Sequence, residues 1–304
     1  MPRSGAMLLA AVAVVLAFVV PSSAAAGTAV VHDFSRDPLS SAGPGPLFTL
    51  RGDAQAFHHE PGTHPRFAGD RRGSLAVTYD STHPTARLFT DLPRPLTMED
   101  AFVVGAVITI RPDIEADPFG FHPIAFGLFN ASTTGDDRTG DLDDFRADTF
   151  DTLEMAYFPN VSPLFGGPYM SAAAFGGAQG DDAFLDFSFG SVTATLPIGT
   201  PCLVMLRHAA GGDSLFLQVW QADATGGWIP LPQARVSVDL SHLHGFLVDS
   251  LGIAAYHDGF NVFSQSGRSL FAVVDYDLLF AAILDDGPLP AVLRRLPGRI
   301  VTAE

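Results

Sequence analysis

Lysine is absent from this chain. All 17 basic side chains are arginines, against 33 acidic residues, so the formal net charge is −16. A surface this negative repels phosphate backbones and anionic lipid headgroups. A glycine-rich phosphate loop would also need a lysine that the chain does not have. The sequence therefore argues against nucleic acid and membrane surfaces as partners, and it leaves cations and neutral glycans open.

Cysteine is nearly absent as well. Cys202 stands alone, so no internal disulfide can form. Stability must then come from an apolar core, and hydrophobic residues make up 47% of the chain, with 25 phenylalanines among them. Leu203, Val204 and Met205 follow Cys202, and this apolar run predicts a buried thiol within a strand.

Long hydrophobic runs are missing except near the N-terminus. There Arg3 precedes an apolar run from Ala6 to Val20, followed by Pro21 and by small residues up to Ala26. A membrane-spanning helix needs roughly 20 apolar residues, whereas this shorter arrangement is typical of a secretory signal. We expect residues 1–26 to be a signal peptide cleaved near Ala26. The mature protein would then be secreted or periplasmic, without insertion into a membrane.

Helical periodicity is scarce after the signal peptide. Short segments rich in β-branched and aromatic residues recur instead, bounded by Gly, Pro or Asp. Strand candidates are Ala29–Phe34, Leu75–Tyr79, Phe102–Ile110, Ile124–Phe129, Asp151–Phe158, Cys202–His208, Leu215–Ala222, Ala234–Leu240, Leu251–Tyr256 and Leu270–Ile283. Many short strands without helices between them predict an all-β, two-sheet antiparallel sandwich of the jelly-roll type, with few or no helices. A single domain over residues 27–284 is the simplest organisation.

Two regions lack the strand pattern. Residues 35–72 are rich in Gly, Pro, His and Arg and predict an extended loop region. Residues 285–304 form a C-terminal tail in which Arg294, Arg295 and Arg299 stand beside Leu293, Leu296 and Ile300. We expect this tail to pack against the sandwich or to be disordered. Binding of a partner is the alternative.

The order of these segments resembles the concanavalin A-like lectin/glucanase superfamily, in particular its laminin-G-like members. The segments that carry the resemblance are residues 30–38, 98–110, 196–207, 215–220, 250–256 and 274–280. The resemblance implies a curved two-sheet sandwich. It also implies glycan binding, sometimes with calcium, and in some families glycan hydrolysis. A fold resemblance alone does not assign a function.

The most acidic stretch of the chain follows the fourth strand candidate. Five carboxylates lie within residues 136–144, around Gly140, and they are Asp136, Asp137, Asp141, Asp143 and Asp144. Calcium takes roughly six to eight oxygen ligands, so this loop is the candidate calcium site. A solvated loop with Arg138 and Arg146 as counter-ions is the alternative.

Two further acids lie in the strand candidate Asp151–Phe158. Retaining glucanases of the superfamily use two carboxyl groups about 5 Å apart. Here Asp151 and Glu154 are the alternative catalytic pair, but a spacing of three places them on opposite faces of a strand unless a bulge intervenes. Asp275 and Asp277 are the other acids that the fold would have to bring near Glu154. Without such a partner, Glu154 is a candidate ligand-binding acid.

Aromatic and histidine residues near turns supply the remaining candidates. Tyr157 and Trp228 have rings that would stack on a sugar face, and with Glu154 they form the predicted ligand-binding set. The segment 58–64 holds three histidines and Glu60, ligand types that suit zinc. Pro61 and Gly62 exclude a helical zinc motif there, so a polar loop is the preferred interpretation.

These observations favour a secreted, non-catalytic β-sandwich that binds carbohydrate or another extracellular surface, with calcium as its cofactor in the acidic loop. A glycoside hydrolase or polysaccharide lyase on the same sandwich is the first alternative, and a structural component of an extracellular assembly is the second. The sequence does not specify the glycan or the oligomeric state.

Overall fold

The computed structural model describes residues 29–40, 47–66, 70–117, 122–134, 151–159, 167–176, 186–256 and 268–284, together with Leu293 and Leu296. The predicted signal peptide and the acidic loop at residues 136–144 lie outside these ranges. No helix in the described ranges is long and apolar enough to cross a membrane.

Strands account for nearly all regular structure in the described ranges. In chain order they are β1 Ala29–His32, β2 Thr49–Gly52, β3 Phe57–Arg66, β4 Asp70–Asp80, β5 Ala86–Leu96, β6 Phe102–Ile110, β7 Glu115–Ala116, β8 Ile124–Phe129, β9 Thr152–Phe158, β10 Tyr169–Phe175, β11 Phe187–Thr193, β12 Cys202–His208, β13 Ser214–Ala222, β14 Trp228–Asp239, β15 Val248–Ala255 and β16 Leu270–Ile283. A 3₁₀ turn at Ala54–Ala56 and a one-turn helix, α1, at Ala131–Thr134 are the helical elements described. The all-β prediction is confirmed.

The strands form two antiparallel sheets. The nine-stranded sheet has the order β14-β13-β12-β6-β16-β4-β3, with β1 and β7 also paired to β16. The seven-stranded sheet has the order β11-β10-β9-β8-β15-β5-β2. Half of the neighbouring pairs in each order are consecutive strands and half are distant in sequence, so each sheet combines hairpins with long crossovers, as in a jelly roll. The predicted two-sheet sandwich is therefore confirmed.

The core lies between the two sheets. Strand side chains alternate between faces, and the inward set forms one continuous buried cluster that includes Val104 and Ile108 of β6 and Leu153 and Met155 of β9. A second buried cluster covers the outer face of the nine-stranded sheet, where Val103 and Val107 pack with the tail residues Leu293 and Leu296, among others. Strand β6 is buried on both faces, which explains its nearly uninterrupted apolar sequence.

The hairpin predicted around residues 202–222 is present. Cys202 pairs with Gln221 and His208 with Leu215, and β12 also pairs with β6 on its other side. Gly211 in the connecting turn has a φ of 60°, a conformation that glycine adopts without strain. Cys202 is a buried free thiol, as predicted, and burial raises its pKa to about 12.

The prediction of a loop over residues 35–72 is wrong, because β2, β3 and the start of β4 lie there. Strand β3 contains Pro61, and its pairing with β4 shifts register between Glu60 and His64. A bulge at this point accommodates the proline, which cannot donate a ladder hydrogen bond. Pro93 and Pro95 of β5 lie beside a similar shift in its pairing with β15, between Val248 and Ser250.

Candidate functional site

Glu154 lies on the outer face of the seven-stranded sheet. Its strand neighbours across β9 are Gly127 of β8 and Ala173 of β10, so no large side chain flanks its carboxylate in the cross-strand direction. A Cβ at Gly127 would lie 2.1 Å from the carbonyl oxygen of Leu153, so this close strand pairing requires glycine. The hydroxyl of Tyr256 donates a hydrogen bond to Glu154 Oε2. The site thus holds a partly exposed carboxylate paired with a phenol.

Asp151 does not join Glu154. Its Oδ1 accepts a hydrogen bond from the backbone N of Leu247 at 3.1 Å, and its Oδ2 accepts one from Asn130 Nδ2 at 3.2 Å. Its backbone carbonyl also accepts from Asn130 N at 3.0 Å. The Asp151 carboxylate therefore ties together three chain segments at the end of the sheet, a structural role.

Asp275 lies on the other sheet. It is buried on β16, where Arg111 donates from Nε and Nη2 to its carboxylate at 2.6 to 3.1 Å. Arg111 Nη2 also donates to Glu60 at 2.7 Å. The hydrogen bonds that Arg111 donates to Asp275 and Glu60 raise the pKa of Arg111 above its ordinary value, against the effect of burial. Because β16 and β9 belong to opposite sheets, Asp275 cannot act as a partner of Glu154, and the same holds for its β16 neighbour Asp277.

Tyr157 is a correction to the predicted ligand-binding set. Its side chain is 2% exposed, belongs to the core between the sheets, and accepts a hydrogen bond from Leu196 N at 3.2 Å. Burial raises its pKa. Tyr157 is three residues from Glu154 on a regular strand, so the two side chains point to opposite faces. That alternation was visible in the sequence and excludes Tyr157 from the surface of Glu154.

Trp228 lies apart from Glu154. It begins β14 at the edge of the nine-stranded sheet and packs against the outer cluster of that sheet, which includes Trp220 and Met205. Glu154 and Trp228 therefore lie on different sheets, and the structure does not bring the predicted set together.

The histidine segment forms no zinc centre in the described part of the chain. His59 Nε2 is 2.9 Å from the carbonyl oxygen of Phe34, and Glu60 is engaged by Arg111. No group of three metal-ligating side chains occurs among the described residues. The segment is part of β3, so the predicted polar loop is replaced by a strand.

A group of aromatic side chains that was not predicted from the sequence lies on the face that carries Glu154. Phe187 and Phe189 alternate on β11, and the register pairs Phe175 with Phe187 and Ala173 with Phe189. Ring centroids are 4.7 Å apart for Phe175 and Phe187, and 5.3 Å apart for Phe187 and Phe189. Phe189 is 61% exposed. These three rings are called the phenylalanine row below.

A second aromatic pair lies on the same face. Phe158 of β9 and Tyr169 of β10 are cross-strand neighbours with ring centroids 4.5 Å apart and planes inclined by 24°. The two residues are partly buried. The alternation Phe187-Ser-Phe189 was the signal for this face, but strands β10 and β11 had not been recognised. Their small residues and glycines conceal a strand pattern.

Two arginines occupy the opposite flank of the face. Arg87 of β5 pairs directly with Arg51 of β2, so both side chains project from the same side of the sheet. Arg51 is exposed, whereas Arg87 is 4% exposed, with its guanidinium carbon 4.7 Å from the centre of the Phe129 ring. The face therefore combines a carboxylate, a phenol, aromatic rings and two cations. This set can hydrogen-bond hydroxyl groups and stack on apolar ring faces.

No family model matches the chain, and no curated protein matches it. Solved structures do resemble it. Lectin UEA-II in complex with galactose is 13% identical, at a TM-score of 0.48, and the match covers 84% of this chain and 98% of the lectin. An endo-β-1,4-glucuronan lyase from the fungus Trichoderma reesei is 13% identical, at a TM-score of 0.47, over 76% of this chain and 89% of the lyase.

The exoplasmic/lumenal domain of VIP36 in its Ca²⁺-bound form is a third such structure. It is 10% identical, at a TM-score of 0.45, over 84% of this chain and 89% of that domain. At identities of 10–13%, these three matches are likenesses of fold alone.

Proposed function

We propose that this protein is a carbohydrate-binding β-sandwich that holds a glycan chain against the outer face of its seven-stranded sheet. The observation that carries the proposal is the phenylalanine row, which ends in the exposed ring of Phe189 on the face that also presents Glu154 and Tyr256. Stacking and hydrogen bonding would act together there, as in other ligand sites.

The ring of Phe189 is exposed to water. Leaving a phenylalanine ring in water forgoes about 1.5–3 kcal/mol of burial free energy. Phe187 and Phe189 have planes inclined by 18°, so they form a stacked platform at the edge of the sheet. A pyranose ring carries axial C–H groups on its faces, and such a face would cover the platform and recover part of that free energy. Connected apolar rings with a polar surround are typical of interaction sites.

Glu154 and Tyr256 supply the polar groups of this face. A carboxylate accepts hydrogen bonds only, whereas a tyrosine hydroxyl both donates and accepts. The bond from Tyr256 fixes the orientation of Glu154 Oε2 before any ligand arrives. Sugar hydroxyls are both donors and acceptors, so a preorganised carboxylate and phenol offer them matching partners. Prior fixation lowers the entropic cost of binding.

The proposal also includes secretion of the protein and a calcium site. A signal peptide ending near Ala26 would deliver the protein to the periplasm or the medium, where polysaccharides are accessible. The mature N-terminus read by mass spectrometry should then be Gly27. The proposed calcium ligands from Asp136 to Asp144 follow in sequence the strand, β8, that borders Glu154.

Retention on polysaccharide gels tests the proposal. The wild-type protein should be retarded in native gels containing at least one of a panel of neutral and acidic polysaccharides. Phe189→Ala should weaken this retention about tenfold, the equivalent of 1.4 kcal/mol. The matched control is Phe216→Ala, because Phe216 is 47% exposed but lies on β13 of the other sheet.

Equal weakening in the two variants, or retention by neither the wild type nor any variant, would overturn the assignment of this face. Release of new reducing ends or unsaturated products from the retained polysaccharide would instead support the hydrolase or lyase alternative.

A further inference from the structure

Arg87 carries a buried charge for which the described chain supplies no partner. Its Nε and Nη2 atoms are fully shielded from solvent, and neither has a hydrogen-bond partner. Arginine stays protonated inside proteins, so neutralisation cannot relieve the cost of burying it. Buried charges are normally paired, because an uncompensated one costs several kcal/mol. Among the described residues, the ring of Phe129 packs against this guanidinium, and that contact satisfies no N–H group.

Arg111 of the same chain shows which kind of ligand suits the unpartnered Nε and Nη2 atoms of Arg87. Arg111 uses its own Nε and Nη2 atoms, the two that point the same way from a guanidinium, to hold the carboxylate of Asp275. Arg87 has the identical pair of donors, shielded from solvent, on the same side of the sheet as Glu154 and three strands away from it. A planar carboxylate matches this fork, since two parallel N–H bonds reach its two oxygens.

Arg51 strengthens the case for an anion. Like charges directly opposite each other on one face of an antiparallel pair destabilise a sheet. Arg51 and Arg87 have this relation, and Arg51 takes part in a further interaction besides. An anion held by Arg87 would attract Arg51 as well. Arg51 is exposed and Arg87 buried, so the pair leads from the surface of the sheet toward its interior.

We propose that Arg87 and Arg51 bind the carboxylate of an acidic saccharide, so that the glycan on this face is a uronic acid-containing chain. This inference rests on the proposed function and narrows it from carbohydrate in general to uronides. Phe129 orients the Arg87 guanidinium by stacking, and the two arginines select the charged sugar. A sulfate ester is tetrahedral and matches the planar fork less well, so sulfated glycans should bind more weakly.

Paired ligands separate this inference from the proposed function. The probes are polygalacturonate, alginate and glucuronan, each compared with the same polymer after reduction of its carboxyl groups to neutral alcohols. Dextran sulfate is the sulfated polymer used for comparison. Wild-type protein should bind one or more uronides at least about tenfold more tightly than the reduced polymer. The preference should shrink as salt is raised, because the attraction is electrostatic.

The variants are Arg87→Met and Arg51→Gln, with Arg235→Gln as control because Arg235 lies exposed on β14 of the other sheet. Arg87→Met should lose about tenfold or more in affinity for the uronide and little for the reduced polymer. Arg51→Gln should show a smaller loss in the same direction, and Arg235→Gln none. Circular dichroism of each variant confirms that the fold is intact.

Equal binding of native and reduced polymers, with Arg87→Met unchanged, would overturn the uronide inference and leave carbohydrate binding in place. Preferential binding of dextran sulfate would overturn the choice of carboxylate. Retention of none of the polymers, acidic or neutral, would overturn the proposed function together with this inference.

Discussion

Replacing Arg87 with methionine should make the protein more stable while it weakens ligand binding. The substitution removes a buried cation whose Nε and Nη2 have no hydrogen-bond partner, and a methionine of similar length fills the same space beside Phe129. Replacing buried ionic groups with well-packed apolar residues is neutral or stabilises by about 1–4 kcal/mol. Loss of the contact with the Phe129 ring subtracts about 1 kcal/mol.

The net expectation is a gain of about 2 kcal/mol in the free energy of unfolding. For a domain of this size, each kcal/mol shifts the melting temperature by about 2–4 °C. Arg87→Met should therefore melt roughly 4–8 °C above the wild type in differential scanning calorimetry without ligand. Arg235→Met, an exposed control, should change stability by no more than about 0.5 kcal/mol.

Arg111→Met supplies the contrasting case. It leaves Asp275 buried without its bidentate partner and removes a contact to Glu60. Breaking a buried pair in this way costs about 3–5 kcal/mol, and the partial exposure of Arg111 reduces the expected loss to about 2–3 kcal/mol. The same substitution should thus raise the melting temperature at one arginine and lower it at the other. A fall at both positions would refute the argument, because Arg87 would then be a structural residue that needs no ligand.

Two remaining predictions concern calcium and the single thiol. Addition of calcium should raise the melting temperature of residues 27–304 by mass action. Asp141→Asn together with Asp143→Asn should abolish this rise. An equal melting temperature in calcium and in chelator would mean that the acidic loop binds no calcium. Cys202 should resist a thiol reagent at pH 8 until the protein unfolds, because burial raises its pKa to about 12 and the thiolate is the reactive form. Rapid labelling of the native protein would contradict its burial.

Strands whose side chains are apolar on both faces were the easiest to predict from sequence. Strand β6 and the hairpin of β12 and β13 have long β-branched or aromatic runs with clear turns between them. Strands β3 and β5 were missed because their prolines weaken the local pattern, although bulges at those positions accommodate them. A bulge depends on the partner strand, and a single segment of sequence does not contain that information.

The candidate site was predicted only in part. Glu154 lies partly exposed on the outer face of β9, and strict alternation along that strand would have placed Tyr157 in the core. Arg51 and Arg87 meet only because β2 and β5 pair in one particular register. Likewise, Phe175 and Phe187 come from two strands joined by a segment with no strand pattern. Cross-strand register is a tertiary property, so neither group could be recognised from local sequence.

Hydrogen–deuterium exchange with and without a retained polysaccharide tests most directly the claim that the glycan binds the outer face of the seven-stranded sheet. Backbone amides in Thr152–Phe158, Tyr169–Phe175 and Phe187–Thr193 should exchange more slowly when ligand is bound, because they lie beneath the phenylalanine row and Glu154. Exchange in Phe57–Arg66, at the opposite edge of the nine-stranded sheet next to β4, should not change. Protection confined to the nine-stranded sheet would contradict the account.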